Sequence, residues 1–397
     1  MAMDMPTKAN MGQSPSVESK PTVIVYTHSL LGPSMTFILS HAVALKRYLP
    51  VFAGSHRVTG LPLPEERVAT SNQGGIFGST EEFLFRRFGF AGRLASNLRK
   101  FRPRLVHAHF GQSAPAALTL SRSLQIPFVV TYHGQDATIL DDELRRSWRG
   151  REYLRGRPAV VRNATLVIAV SDFIRARLLD QGFPAARVVT HRNGIDLNMF
   201  KRGSSAREQL VVFVGRFVEK KGCEYLIRAL GQLRRSGHPV RAVLIGDGVL
   251  GPALRRLSAD VGAAADFAGF LPLAEVKGWL ERAAVVAVPS VTASDGNSEG
   301  LPTVILEAQA MGTPIVATRH AGNAEGVAEG RSALLVDERD VESLARSIRF
   351  FVDNPGAVES YGAAGRSFVE QHFDIETQAA GLELLYDRAT EAAQCSA

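Results

Sequence analysis

The chain has little cysteine. Cys223 and Cys395 are its only two, 172 positions apart in 397 residues. Two thiols so placed make neither a disulfide framework nor a metal-ligand set of cysteine spacings, so the expected state is reduced and cytosolic. Long apolar runs are missing too: nothing approaches the roughly 18–20 residues that cross a bilayer. Residues 1–20 lack the apolar core of a secretory signal and are expected to form a disordered leader. No Asp-x-Asp stands at a strand end to hold a divalent metal. Zinc-finger, helix-turn-helix and RNA-recognition signatures are likewise absent, which sets nucleic acid aside as a partner.

What is present is an ordinary globular composition, 45% apolar and 21% charged, in a chain long enough for two domains. Its net charge of +7 is unevenly spread. Residues 1–200 carry 25 Lys+Arg against 14 Asp+Glu, and residues 201–397 carry 21 against 25. The positive half contains Arg86, Arg87, Arg93, Arg99, Lys100, Arg102 and Arg104 among Phe83, Phe85, Phe88, Phe90 and Phe101. Such a segment suits an anionic membrane surface or a phosphorylated acceptor. An amphipathic helix pair with its aromatics turned to the core accounts for it equally well.

Short β-branched runs alternate with helical stretches. Strands are expected at 21–26, 105–109, 128–132 and 166–170, then at 210–214, 241–245, 285–288, 314–317 and 333–336. Helices are expected at about 36–47, 114–124 and 375–393. Continuous apolar strands between helices indicate parallel sheets covered on both faces. The expected organisation is an α/β protein with two doubly wound Rossmann-like domains, 21–200 and 201–374, facing a central cleft. A C-terminal helix, 375–397, is expected to cross back to the first domain. In this arrangement ligands bind at the carboxyl ends of the strands.

The most informative stretch is Ser298-Glu299-Gly300-Leu301-Pro302-Thr303-Val304-Ile305-Leu306-Glu307. Two carboxylates flank a Gly-x-Pro turn that opens an apolar helix, with Pro302 fitting the first helical position and Gly312 the exit. Unpaired N–H groups and the positive dipole end make that turn a seat for phosphate. Glu299, in the loop, is free to meet a hexose, while Glu307, beside Thr303 on one helix face, is reachable by a ribose. A second constellation, Gly215-Arg216-Phe217-Val218-Glu219-Lys220-Lys221-Gly222, follows a strand and sets Arg216 and Lys221 five apart. Fixed cations there would stabilise the charge that grows on a departing diphosphate. His133 stands at a strand end, where α/β sites form. His107 and His109 are expected to alternate across their strand, so that at most one, His109, faces the cleft.

A Gly-Arg-x-x-x-Lys-Lys-Gly stretch followed some eighty residues later by Glu-x7-Glu resembles the retaining family 4 glycosyltransferases of the GT-B fold. The segments 33–37, 106–111 and 131–136, with Asn193-Gly194-Ile195-Asp196 and 320–325, are most similar to bacterial exopolysaccharide members. One departure is Met35, where many of those members carry an acid. The resemblance implies that Arg216 and Lys221 bind the diphosphate and that Glu307 holds the ribose. It implies that Glu299 stands near the donor sugar and that Gly300, Leu301 and Pro302 cradle phosphate. Gly32, in the turn after the first strand, is counted with the donor-binding set, and His133, Glu299, Arg216 and Lys221 form the catalytic set. The expected reaction is retaining transfer of a hexose from a UDP- or GDP-sugar to a saccharide acceptor. The acceptor is expected to be lipid-linked and the product an exopolysaccharide or other cell-surface glycan. No cofactor or metal is expected. The expected site of action is the cytoplasm, peripheral on the inner face of the plasma membrane. The alternative is a sugar-nucleotide-binding regulatory or non-catalytic partner subunit.

Overall fold

The computed structural model describes residues 20–88 and 90–394, without the side chains at 75, 76 and 86–88. The leader apart from Lys20, the side chains of Arg86 and Arg87, and Cys395 lie outside the described residues.

Seven parallel strands build the first sheet: β1 (Thr22–Leu30), β2 (Leu49–Arg57), β3 (Val68–Thr70), β4 (Pro103–His109), β5 (Phe128–Tyr132), β6 (Leu166–Ala169) and β7 (Val188–Thr190). Their order is β3-β2-β1-β4-β5-β6-β7. The second sheet comprises β8 (Leu210–Val214), β9 (Arg241–Ile245), β10 (Ala265–Gly269), β11 (Val285–Val288), β12 (Ile315–Thr318) and β13 (Ala333–Val336). It runs β10-β9-β8-β11-β12-β13, also parallel. Both sheets reverse their winding, between β1 and β4 and between β8 and β11. A crevice opens at each reversal, where the chain leaves neighbouring strands toward opposite faces. Two doubly wound sheets are therefore present.

The central strands are buried from end to end, as β5 and β6 show, because helices cover both faces. Four strands lay outside the sequence expectation: β2, β3, the three-residue β7 and β10. In β2, Pro50 and Gly54 interrupt an apolar run that is nonetheless buried from Pro50 to Ser55. Strand β3 is only three residues long, and edge strand β10 is half-exposed, so neither carries an apolar signature.

The C-terminal helix, Ile375–Gln394, leaves the second domain and packs on the first. Its Ala379, Leu382, Tyr386 and Ala389 join one core with Val23, Val25, Leu105 and Val129 from the first sheet. A buried leucine such as Leu382 contributes roughly 2 kcal/mol to that docking. The Glu383 carboxylate accepts from the backbone N–H groups of Arg47 and Tyr48, at 2.6 and 3.2 Å. Asp387 accepts from the Tyr48 hydroxyl at 2.9 Å.

Candidate active site

The end of β8 and the loop after β11 meet at the second sheet's reversal. Residues Glu219–Lys221 form a single 3-10 turn closed by Gly222 at φ 62°. A Cβ on Gly222 would lie 1.8 Å from the Pro289 carbonyl oxygen, so only glycine lets the turn sit against the end of β11. Each side chain of the turn then reaches a different part of the loop 290–300. Glu219 accepts from the Ser294 amide at 3.0 Å and its hydroxyl at 2.8 Å. Lys220 donates to the Ser298 carbonyl at 3.2 Å and lies 3.6 Å from Glu299 Oε2. Lys221 places its Nζ 2.9 Å from Glu299 Oε1, off the direction of a hydrogen bond, so charge is what pairs them.

Glu299 is thus not free, as the sequence suggested, but buried between two lysines. Burial pushes its carboxyl up; Lys221 and then Lys220 outweigh this and hold it at about 2. Its backbone N–H donates to His320 Nε2 at 3.2 Å, and His320 Nδ1 lies 2.6 Å from Glu338 Oε1. That arrangement requires the Nδ1–H tautomer, and burial keeps His320 below its ordinary pKa and neutral. Lys220, His320 and Glu338 were missed by sequence reasoning. Their only signal there was a second lysine beside Lys221 and a histidine in the segment 320–325.

The helix after the turn runs Thr303–Ala310, with Pro302 as its N-cap rather than its first residue. Among the described residues the N–H groups of Gly300, Leu301, Thr303 and Val304 have no protein acceptor. Glu307 lies one turn below the opening, within reach of the Thr303 hydroxyl, and is half-buried. Burial raises its pKa, with Thr303 and the Lys221 charge pulling the other way. Lys221 therefore carries its charge between both glutamates. Arg216 is exposed, and its guanidinium makes no ion pair or hydrogen bond among the described residues.

The facing wall comes from the first domain. The Asp136 carboxylate accepts from the amides of Gly111, His133 and Gly134 at 2.8 to 3.2 Å, clamping the ends of β4 and β5 together. Gly134, at φ 141°, packs on the donor-side turn: a Cβ there would lie 2.8 Å from Gly300 N, and one on Gly300 only 2.1 Å from the His133 carbonyl oxygen. Two glycines thus let the two backbones touch. Across the same seam the Ser298 amide donates to Thr138 Oγ1 at 3.0 Å, and the Leu140 amide to the Asp295 carbonyl at 3.0 Å. Glu325 crosses as well, accepting from the Asp172 and Phe173 amides at the start of the helix Asp172–Asp180.

His133 lies at this seam, its ring between Phe37 and Phe110 at 5.0 and 4.8 Å. Its Nε2 is 3.1 Å from His109 Nδ1, while its Nδ1 has no partner among the described residues. His109 in turn lies 4.3 Å from the ring of His107. The expectation that these two alternate across β4 was wrong: residues two apart on a strand share a face. They form a column that continues from His107 Nδ1 to the Tyr386 hydroxyl at 2.7 Å and from its Nε2 to Thr131 Oγ1 at 2.7 Å. Burial drives His107 and His133 down to about 3, and His109 well below its ordinary value. Gly32 sits in the turn before the helix Thr36–Ala44, near Val58. It belongs to the first-domain wall, which that helix joins to His133 through Phe37.

Comparison with known proteins adds to this geometry. Residues 35–199 match the model described as Glycosyltransferase Family 4, and residues 208–354 match that described as Glycosyl transferases group 1. WcaL of Salmonella typhimurium, a candidate glycosyltransferase of colanic acid biosynthesis, is 32% identical over 67% of this chain. The aligned stretch spans 66% of WcaL's own length, just under two thirds. The amylovoran biosynthesis glycosyltransferase AmsK of Erwinia amylovora is 28% identical over 71% of this chain and 69% of its own. In structure, Anabaena Alr3699/HepE, solved in complex with UDP-glucose, superposes with a TM-score of 0.74 over 92% of this chain and 99% of its own, at 20% identity.

Proposed function

Since the chain belongs to the family 4 and group 1 glycosyltransferases and has their GT-B fold, we propose that it transfers a hexose with retention from a UDP- or GDP-sugar to a saccharide acceptor. In this reading the acceptor is lipid-linked and the product is an exopolysaccharide or other cell-surface glycan; the names of WcaL and AmsK, which refer to colanic acid and amylovoran biosynthesis, support the product class. The observation that carries the reading is the Arg216 guanidinium, unpaired among the described residues, with Lys221 beside four N–H groups at a helix start that have no protein acceptor among those residues. Cations and amide dipoles of this kind suit a diphosphate leaving group and need no metal. Binding draws Lys221 from Glu299 toward the phosphates and leaves Glu299 to the hexose side, while Glu307 takes the ribose hydroxyls.

In the reaction the bond from the anomeric carbon to the diphosphate breaks. The acceptor oxygen bonds that carbon on the same face, and its proton passes to a departing diphosphate oxygen. His133, through Nδ1, donates to or accepts from a sugar hydroxyl and helps exclude water at the seam.

A panel of UDP- and GDP-sugars should contain at least one that raises the melting temperature, since a ligand bound only by the folded state stabilises it. No protection by any member would overturn the donor reading. Glu307→Ala should weaken nucleoside diphosphate binding by roughly 10- to 100-fold, the worth of a charge-assisted hydrogen bond. Unchanged affinity removes Glu307 from the ribose role.

No helix among the described residues is long and apolar enough to cross a membrane. The Phe/Arg segment divides: Phe85 is buried against Tyr26, whereas Phe83 and Phe90 are 60% and 71% exposed. Together with Phe77, 82% exposed, this favours docking on an anionic bilayer from the cytoplasmic side. Neutralising Arg86, Arg87, Arg99 and Lys100 together should release the protein from vesicles of anionic phospholipid; undiminished binding rules the segment out.

A further inference from the structure

Sharing no residue with the donor site, the first domain brings together His28 from β1, His56 from β2 and Glu82 from the helix Gly75–Phe88. One ligand atom from each lies within 4.8 Å of the others. We propose that these three residues bind a zinc-class divalent cation that fastens the helix Gly75–Phe88 to the sheet.

Three observations favour a metal over an ordinary polar cluster. First, the donor set is two imidazoles and one carboxylate, which suits a borderline ion such as zinc and leaves at least one position for water. Second, each ligand is already oriented from behind. His28 Nδ1 lies 3.0 Å from Ser55 Oγ, so that His28 would ligate through Nε2. His56 Nε2 lies 3.1 Å from Ser29 Oγ, which turns Nδ1 toward Glu82 Oε1 at 3.0 Å. Glu82 Oε2 accepts from Asn72 Nδ2 at 2.9 Å, which leaves Oε1 on the imidazole side. Outer partners that fix tautomer and carboxylate rotation are what a metal-binding histidine or glutamate needs. Third, an ion has a way in. A surface cleft of about 670 Å³ reaches His56 and Asn72. Of the two cations lining the cleft, Arg57 is paired with Glu65 at 2.5 Å and Lys100 lies over the Phe101 ring at 4.9 Å.

A cation drawn between His56 Nδ1 and Glu82 Oε1 would replace one hydrogen bond by coordination to three elements at once. The apolar anchor of the same helix is Phe85, 1% exposed and 6.4 Å ring to ring from Tyr26. Phe85 and the cation would hold one face of the helix, leaving Phe77 and Phe83 outward.

The test uses the full chain, untagged and stripped with chelator, and zinc chloride as the probe. Metal analysis after equilibrium dialysis should find one zinc per chain, with a micromolar or tighter Kd and a higher melting temperature. Magnesium at the same concentrations should do neither, because it prefers oxygen ligands. The isosteric Glu82→Gln should weaken zinc binding at least about tenfold, and His56→Ala with Glu82→Gln should abolish it. Absence of zinc from the wild-type chain overturns the proposal whatever the variants do. So does stoichiometric zinc that survives in the double variant, or a site that takes magnesium and refuses zinc.

Discussion

Arg216→Ala is expected to lower turnover by on the order of 10²-fold or more while leaving the melting temperature within a degree or so of wild type. The two halves of that result have separate causes. Arg216 is exposed and its guanidinium makes no ion pair or hydrogen bond among the described residues, so truncating it removes no such folded-state contact. Its contribution arises only when charge develops on the departing diphosphate, and an interaction present only then is read in turnover. Lys221→Ala should match the kinetic loss and add a thermal one. It would strip the nearer cation from a buried carboxylate, leaving Lys220, 3.6 Å away, as the remaining counter-charge. Steady-state rates and melting curves on the two variants separate these effects. Near-normal turnover in Arg216→Ala and Lys221→Ala would remove both from the leaving-group role. Adding magnesium to chelator-stripped enzyme should leave the rate unchanged; a rate that magnesium restores would refute metal independence.

The second large effect is on acid stability. His41 and His107 are 6% and 1% exposed, and burial holds both at about 3 against an ordinary 6.5. A group whose pKa is lowered by folding binds its proton more readily when unfolded. The stability it contributes is full above about pH 6.5 and drains away as the pH falls toward 3. Between pH 7 and pH 5 each of the two costs about 2 kcal/mol, so the pair removes about 4 kcal/mol from a domain stability of ordinarily 5–15 kcal/mol. His133 and His191, held at about 3 and 4, act in the same direction. Glu299, whose pKa is lowered to about 2, contributes its stability in full above about pH 4.5 and loses it only below that, so it leaves this window untouched. The melting temperature should therefore fall steeply from pH 7 to pH 5. A flat profile over that range would mean that the histidine column opens to water.

The architecture was legible because its central strands are uninterrupted apolar runs, which only a two-sided parallel sheet accommodates. Strand β2 was not, since Pro50 and Gly54 have the look of loop residues until β1 and β3 are seen on either side. At the site, Arg216, Lys221, Glu299, Glu307 and His133 could be picked out because each stands at a strand end or helix start. The pairing of charges could not. Lys220 and Lys221 are neighbours of one type, and which of them is buried depends on Gly222 fitting under Pro289. The link from Glu338 through His320 to the Glu299 amide joins residues far apart in the chain, with no periodicity to announce it. The histidine column was misjudged for a simpler reason, a period-two spacing taken as alternation.

The helix Ile375–Gln394 has a consequence for how the protein is made. Tyr386 lies under His107 and helps close the core of the first domain, although the whole second domain precedes it in synthesis. The first domain must therefore wait on the ribosome with part of its floor open, its histidines exposed to solvent, until that helix emerges and docks. Loss of the helix would injure the domain farthest from it in the chain and spare its neighbour. A nascent chain stalled at the end of the second domain should show a protease-resistant second half attached to a first half that is still cleaved.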